Sequence, residues 1–173
     1  MGGQQIVPDI PGIDRENVFG IEDVLLGRRA IEGREVAVIG GGHVGLEVAH
    51  FLCANNKVTI VEMADEIGAS VYYITKFKLL PLLREAGVTF RTGQAIAAVD
   101  DGSIRLRDTH TGQCTELKAE AVVLAMGSRP DLAARAAFDR NLTTSSMPAM
   151  LCAAAPCSRP TAMRSPSHGN SDT

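Results

Sequence analysis

The sequence predicts an α/β fold, a Rossmann-like doubly wound parallel sheet with an inserted antiparallel β-meander. Two observations lead to this prediction. Between residues 35 and 91, continuous apolar runs alternate with helical patterns, as in parallel strands that are covered on both faces. Residues 103–107 instead alternate apolar with polar or charged positions, which is typical of an antiparallel strand that exposes one face.

Each strand is predicted from a short apolar or alternating run that is bounded by turn residues. The predicted strands are Glu35–Ile39, Lys57–Val61, Val88–Arg91, Ala95–Val99, Ser103–Arg107, Cys114–Lys118 and Ala121–Ala125. Asp101 and Gly102 form a hairpin signal, because this pair tolerates the positive φ angles of a tight turn. With the helices between them, the order is β-α-β-α-β, then a meander, then a closing strand.

Three helices are predicted from apolar residues at helical spacing. They are Glu22–Arg29, residues 43–54 and Ile74–Ala86. The expected core-facing residues are Val44, Val48, Phe51 and Leu52 in the second helix, and Phe77, Leu80 and Leu83 in the third. Pro81 predicts a kink or a late start of the third helix, because proline cannot donate a helical hydrogen bond.

The composition of the chain changes near residue 130. Residues 1–130 contain 25 Val and Ile residues, whereas residues 131–173 contain none and are rich in Ala, Ser, Thr and Pro. A segment so poor in large apolar side chains cannot bury enough surface to offset its conformational entropy. The sequence therefore predicts a connector at 1–33, a Rossmann-like domain at 34–130 and a disordered tail at 131–173.

Charge and hydropathy exclude several classes of protein. The 17 basic and 20 acidic residues give a net charge of −3, which argues against a nucleic-acid partner because such proteins need a basic face. No apolar run approaches the roughly 18 residues of a membrane span, so no membrane partner is expected, and the default location is cytoplasmic. The histidines show no metal-ligand spacing, so no metal site is predicted, and Cys53 and Cys114 are expected to be packing residues.

A glycine-rich motif follows the first predicted strand. Gly40-Gly41-Gly42-His43-Val44-Gly45 has the spacing G-x-G-x-x-G, follows a strand and opens a helix. Gly40 would permit the tight turn, Gly42 would let a pyrophosphate approach the backbone, and Gly45 would let helix and strand pack closely. The free N–H groups of the helix N-terminus would face the phosphates, with His43 beside them as a further candidate contact. The motif predicts a dinucleotide site.

The second buried strand is followed by an acidic residue, Glu62, 22 residues after Gly40. A carboxylate at this place can accept hydrogen bonds from both ribose hydroxyls of adenosine, and it would repel the 2′-phosphate of NADP(H). Met63, a candidate cofactor contact, begins a run to Glu66 that contains no Arg or Lys to offset this repulsion. The sequence therefore predicts NAD(H) over NADP(H).

Several segments occur in an order that resembles one family. They are Pro11–Val18, Gly33–Glu47, Val58–Glu62 and Val122–Pro130. Over about residues 6–131 the chain resembles the NAD-binding domain of the pyridine nucleotide-disulphide oxidoreductases, which are two-dinucleotide-binding flavoproteins. Within that family it is most similar to the C-terminal half of NADH:flavin oxidoreductases of the 2,4-dienoyl-CoA reductase type.

The resemblance implies that the domain at 34–130 binds NADH and delivers its hydride to an FAD held elsewhere. It places Glu47 toward the nicotinamide, and Ala125 and Gly127 along the cofactor at the end of the last strand. Catalytic residues are not expected in this chain, because the hydride chemistry belongs to the two cofactors.

The same resemblance implies that parts of a complete flavoenzyme are missing. Only the connector precedes the glycine motif, and the tail contains no Gly-Asp pair of the kind that contacts FAD in the family. FAD is therefore expected only through a missing domain or a partner subunit, and the isolated chain is expected to be inactive. Two other interpretations remain open. The chain could be a stand-alone dinucleotide-binding module that acts as a sensor or docks on a flavoprotein, or an inactive gene fragment.

Overall fold

A computed structural model of the protein describes residues 3–130, and the tail predicted at 131–173 lies outside them. The strands in this part of the chain are β1 Gly3–Gln5, β2 Val18–Gly20, β3 Glu35–Ile39, β4 Lys57–Val61, β5 Thr89–Arg91, β6 Gln94–Val99, β7 Ser103–Asp108, β8 Cys114–Lys118, β9 Ala121–Leu124 and β10 Ser128–Pro130. The helices are α1 Ile21–Leu25, α2 His43–Leu52 and α3 Tyr73–Glu85. None of these three helices combines the length and the apolar character that crossing a membrane requires.

Five strands form a parallel sheet in the order β2-β9-β3-β4-β5. In its centre, Val36 of β3 lies between Val58 of β4 and Ala121 of β9. From β3 the chain crosses to β4 and β5 on one side and later returns to β9 on the other. The strand order therefore reverses between β3 and β9. Open α/β sheets bind their ligands at such a point, outside the carboxyl ends of the strands.

The two faces of the parallel sheet are covered by different elements. On one face, Leu46 of α2 and Leu83 of α3 share a buried core with Val36. On the other face, Ile104 of the antiparallel meander β6-β7-β8 shares a second core with Ile39. The predicted fold class, an α/β Rossmann-like parallel sheet with an inserted antiparallel meander, is confirmed.

The structure contains three short strands that the sequence analysis does not predict. β2 lies within the predicted connector and extends the parallel sheet beside β9. β1 pairs antiparallel with β10, with Gly3 opposite Pro130 and Gln5 opposite Ser128. This two-stranded unit, here called the ribbon, brings the two ends of the described region together.

Helix α3 presents the predicted residues Leu80 and Leu83 to the core, but not Phe77. Leu83 is fully buried and Leu79 and Leu80 are partly buried, but Phe77 is 70% exposed. The inward stripe has the spacing i, i+3, i+4, i+7 and starts at Lys76, whose side chain is only 23% exposed. The prediction for Phe77 is wrong because a residue six positions before Leu83 lies away from that stripe.

Four further predictions are corrected by the structure. Helix α1 ends at Leu25 rather than at residue 29, because Gly27 takes a positive φ of 64°. Helix α3 is continuous across Pro81, so of the two alternatives predicted there, a kink or a late start, the late start is wrong. In α2, Phe51 is 59% exposed and Val44 is 38% exposed, so neither belongs to the buried stripe. Cys114 is exposed because it lies on the edge strand β8, so its predicted packing role is wrong. The other cysteine predicted to pack, Cys53, does contact the helical core.

A cluster of charges joins the meander to the parallel sheet at the amino ends of its strands. Glu35, at the start of β3, lies 2.9 Å from Nζ of Lys57 and 3.1 Å from Nζ of Lys118. The first lysine begins β4, and the second ends β8. Hydrogen bonds from Lys57 and then Lys118 lower the pKa of the Glu35 carboxyl, because they stabilise its charged form.

We expect Glu35→Gln to lower the melting temperature by a few degrees at about pH 7 and by much less at about pH 2.5. Because the folded-state pKa of Glu35 is depressed, its contribution is present above the unfolded pKa and is lost as the pH falls through the folded one. The two lysine side chains are 74% and 71% exposed, so the effect should shrink in salt. Thermal denaturation at both pH values measures it, and an equal loss at both would contradict this role of the charge.

Candidate dinucleotide-binding site

The predicted glycine motif forms the turn between β3 and α2. Gly40 has a φ of 112°, which residues with a side chain rarely adopt. A Cβ on Gly40 would lie 2.4 Å from the carbonyl oxygen of Ala125, which follows β9. The N–H of Gly40 donates to the carbonyl oxygen of Val61 at 2.8 Å. The turn therefore needs glycine at this position both for its conformation and for the close approach of the segment after β9.

Gly45 and Gly42 differ in what a side chain would meet. A Cβ on Gly45 would lie 1.9 Å from the carbonyl oxygen of Gly40, so the missing side chain lets α2 pack against the turn. A Cβ on Gly42 would have no protein atom within 4 Å, and the backbone there is extended, with φ −75° and ψ −171°. The fold therefore does not require glycine at position 42, and the space beside it allows a ligand to approach the backbone.

Helix α2 begins at this open space. The N–H of Leu46 donates to the carbonyl oxygen of Gly42 at 3.0 Å, which is the first hydrogen bond of the helix. The N–H groups that precede it have no partner within a helix, and the helix dipole adds partial positive charge at this end. Such an end suits a negatively charged pyrophosphate.

Glu62 connects the glycine turn to the loop after β4. Its Oε2 accepts a hydrogen bond from the N–H of Gly41 at 2.7 Å, and its Oε1 accepts one from the N–H of Ala64 at 2.9 Å. These two bonds fix the orientation of the carboxylate beside the turn. A carboxylate has about four lone-pair sites, so about two remain for the hydroxyls of a ribose.

Ala125 and Gly127 lie across from the glycine turn, after the carboxyl end of β9. The N–H of Ala125 donates to the carbonyl oxygen of Ile39 at 2.8 Å, and the carbonyl of Gly127 accepts from the N–H of Ile6 at 3.0 Å. The turn after β3 and the segment after β9 therefore flank the point at which the strand order reverses.

The other predicted site residues lie around this turn without joining its hydrogen bonds. His43 Nε2 and Glu47 Oε1 are 3.0 Å apart on α2, and the two side chains are 50% and 56% exposed. His43 is the first residue of α2, where the helix predicted over residues 43–54 begins. Val44 in the first turn of α2 and Met63 after β4 are 38% and 62% exposed. Contact of these four residues with a cofactor stays a prediction.

Two neighbours of the turn, Ile67 and Gly68, are not predicted from the sequence. The N–H of Gly68 donates to the carbonyl oxygen of Gly41 at 2.9 Å, and Cδ1 of Ile67 would lie 2.9 Å from a Cβ on Gly41. The loop after β4 therefore folds back on the glycine turn. No periodic pattern signals such a contact, and the positive φ of Gly68, 69°, is visible only in the structure. Among residues 3–130, no three potential metal ligands converge on one point.

Comparisons with known proteins agree with this architecture. The family model described as pyridine nucleotide-disulphide oxidoreductase matches residues 1–146. An NADH oxidase of Thermoanaerobacter brockii is 35% identical over 133 residues, which cover 75% of this chain and 20% of that protein. The structure of a 2-naphthoyl-CoA reductase in complex with 2-naphthoyl-CoA gives a TM-score of 0.69 at 25% identity, over 76% of this chain and 20% of that one. The 6-hydroxypseudooxynicotine amine oxidase of Pseudomonas geniculata N1 gives a TM-score of 0.67 at 28% identity, over 81% of this chain and 22% of that one.

The chain therefore spans about a fifth of the length of these relatives. The family match includes every described element, from β1 to β10, and with them the glycine turn and Glu62. Relatives that match are oxidoreductases, NADH oxidases among them. The chain belongs to the pyridine nucleotide-disulphide oxidoreductase family, as a dinucleotide-binding domain with a Rossmann-like fold.

Proposed function

We propose that this chain is the NADH-binding domain of an FAD-dependent oxidoreductase and that it positions the nicotinamide for hydride transfer to a flavin held by another domain or subunit. One juxtaposition carries the proposal: the open position at Gly42, the first turn of α2 and the oriented carboxylate of Glu62 meet at one edge of the sheet. When bound, NADH would supply the hydride and the flavin would accept it.

The residues present at this edge fit a dinucleotide. Gly42 and the N–H groups of the first turn of α2 would hold the pyrophosphate, and Glu62 would hold the adenosine ribose. Glu47, one turn into α2, would lie toward the nicotinamide, and Ala125 would line the cofactor. None of these residues is assigned to acid, base or nucleophilic chemistry, so the contribution of the chain is binding and orientation.

The ribbon supports the proposed flavin domain. A domain that is inserted between two halves of another needs its entering and leaving strands side by side, and Gly3 pairs with Pro130. The ribbon is tied to the carboxyl end of β9, because the side chain of Gln5 donates to the carbonyl oxygen of Leu124. A flavin domain that is joined through the ribbon would therefore lie at the edge that is proposed to bind NADH.

Titration of the purified chain with NADH and with NADPH, followed by nicotinamide fluorescence, tests this function. We expect saturable binding of NADH and roughly tenfold weaker binding of NADPH, because the 2′-phosphate would meet the carboxylate of Glu62. Binding of neither dinucleotide would overturn the proposal. Steady oxidation of NADH by the flavin-free chain would contradict the assignment of the hydride acceptor to a flavin held elsewhere.

Glu62→Gln should narrow the ratio of NADPH to NADH dissociation constants to about threefold or less, since the amide no longer repels a phosphate. Glu116→Gln, on the exposed face of β8, is the matched control and should keep the wild-type ratio. The amide oxygen introduced by Glu62→Gln can still accept the hydrogen bond from the N–H of Gly41, but the amide NH2 would face the N–H of Ala64, which is also a donor. Because this substitution can lower stability, the melting temperature is measured as well. An unchanged ratio in a folded variant would remove Glu62 as the discriminating residue.

A further inference from the structure

The loop after β4, residues 62–68 and here called the β4 loop, is held from two sides. On its inner side, Glu62 accepts a hydrogen bond from Gly41 in the glycine turn. On its outer side, Nε2 of His110 lies 2.6 Å from Oδ1 of Asp65. His110 belongs to the turn between β7 and β8, so this contact ties the meander to the loop that carries Glu62.

The turn around His110 holds the imidazole at this place. Oδ1 of Asp108 accepts hydrogen bonds from the N–H of His110 at 2.9 Å and from that of the following residue at 2.7 Å. The N–H and the hydroxyl of Thr109 donate to the carbonyl oxygen of Gly93 at 2.8 and 3.0 Å. A Cβ on Gly93 would lie 3.4 Å from Oδ1 of Asp65 and 3.7 Å from the imidazole, so glycine leaves room for the pair.

The backbone of the β4 loop also forms hydrogen bonds with Gly93 and Gln94, next to the turn that contains His110. The N–H of Gly93 donates to the carbonyl oxygen of Ala64 at 2.9 Å. The N–H of Gln94 donates to the backbone carbonyl oxygen of Glu62 at 3.0 Å. Gly93, just before β6, is thus hydrogen-bonded both to the β4 loop and to the turn that contains His110. A change at His110 therefore acts on the loop at Asp65, three residues from Glu62, and not on the glycine turn itself.

We propose that His110 is a positioning residue of the dinucleotide site, in which the protonated imidazole holds Asp65 and so keeps the β4 loop in the conformation that orients Glu62 toward the adenosine ribose. This inference rests on the proposed function, because it concerns the same site. It makes the affinity for the adenosine half of the ligand depend on pH through a residue that does not touch the ligand.

The charges around His110 favour its protonated form. Its pKa is raised, chiefly by the hydrogen bond to Asp65 and further by the negative charges of Asp65 and Asp108. These are the charged groups that act on the imidazole, one from the β4 loop and one from its own turn. Because the folded-state pKa is raised, the pair is intact below the ordinary histidine pKa and is lost as the pH rises through the raised one. The side chains of His110 and Asp65 are 65% and 75% exposed, so the effect is modest and weakens in salt.

Calorimetric titration with ADP-ribose tests the proposal, because this probe has the adenosine and the pyrophosphate but no nicotinamide. At low ionic strength, we expect the wild type to bind ADP-ribose roughly two- to fivefold more tightly at about pH 6 than at about pH 8.5. His110→Gln and Asp65→Asn should both bind without this pH dependence, at the weaker affinity. His50→Gln, which removes an exposed histidine of α2, should keep the wild-type dependence.

NMR titration of the His110 ring gives a readout that needs no ligand. The pKa of His110 should fall in Asp65→Asn, because the partner that raises it has lost its charge. An unchanged pKa in that variant, or a wild-type pH dependence in His110→Gln, would overturn the positioning role while ADP-ribose binding, and with it the proposed function, still stands. Absence of ADP-ribose binding by the wild type at both pH values would overturn the proposed function and this inference together.

Discussion

Gly45→Ala will lower the free energy of unfolding by more than about 2 kcal/mol and will abolish dinucleotide binding at the temperature where the wild type binds. The new Cβ would lie 1.9 Å from the carbonyl oxygen of Gly40. That oxygen cannot easily move, because Gly40 is held by its φ of 112° and by the hydrogen bond of its N–H to Val61. Helix α2 must shift instead, which disturbs the burial of Leu46. Urea denaturation measures the loss of stability.

Gly42→Ala is the matched control, since it adds the same methyl group three residues earlier. Its Cβ would have no protein atom within 4 Å, and its φ of −75° suits any residue. Alanine is a poorer N-cap than glycine, so we expect a loss of about 1 kcal/mol or less. Equal losses in the two variants would contradict the steric account of Gly45.

Four of the five strands of the parallel sheet, all except β2, could be predicted because burial leaves a simple pattern. β3 and β4 begin and end at the predicted residues, since a strand that is covered on both faces is a continuous apolar run between turns. The meander could be predicted for a related reason: β7 alternates buried Ile104 and Leu106 with exposed arginines. In both cases, the information lies within a few consecutive residues.

The ribbon and the orientation of α3 could not be predicted in this way. β1 and β10 have three residues each, and Gly3 finds its partner at Pro130, so no local pattern indicates the pairing. In α3, the first position of the inward stripe is taken by Lys76, whose ammonium group pairs with Glu66. Because this position of the inward stripe is charged, the apolar residues alone do not show the full helical spacing. The apolar pattern therefore favours Phe77 instead of Lys76 as the first inward residue.

The candidate site could be predicted as a motif, but not as a set of contacts. The spacing of the glycines indicates a dinucleotide loop, and the distance to Glu62 indicates a ribose. A sequence does not show which glycines the fold itself requires. The structure separates them, because Gly40 and Gly45 are surrounded by backbone atoms and Gly42 is not. Gly42 is thus the position at which we expect a substitution to change binding without changing the fold.

Gly42→Asp will weaken NADH binding by about 100-fold or more and leave the melting temperature unchanged or higher. The extended backbone and the open space at this position accommodate the side chain. Aspartate is a favoured N-cap, whose carboxylate accepts hydrogen bonds from the first helical turn and interacts favourably with the helix dipole. The same N–H groups are proposed to hold the pyrophosphate, so the carboxylate would occupy them and repel the ligand. Fluorescence titration and thermal denaturation measure the two effects.

Gly42→Ser separates the charge from the bulk of the new side chain. Serine is a comparable N-cap without a charge, so we expect similar stability and a smaller loss of NADH affinity, roughly tenfold. The additional loss in Gly42→Asp should decrease as salt is added, because screening weakens the repulsion between carboxylate and pyrophosphate. Wild-type affinity in a folded Gly42→Asp variant would rule out the N-terminus of α2 as the pyrophosphate site. The proposed function would then fail as well, because Glu62 by itself could hold a ribose but could not orient a dinucleotide along the edge of the sheet.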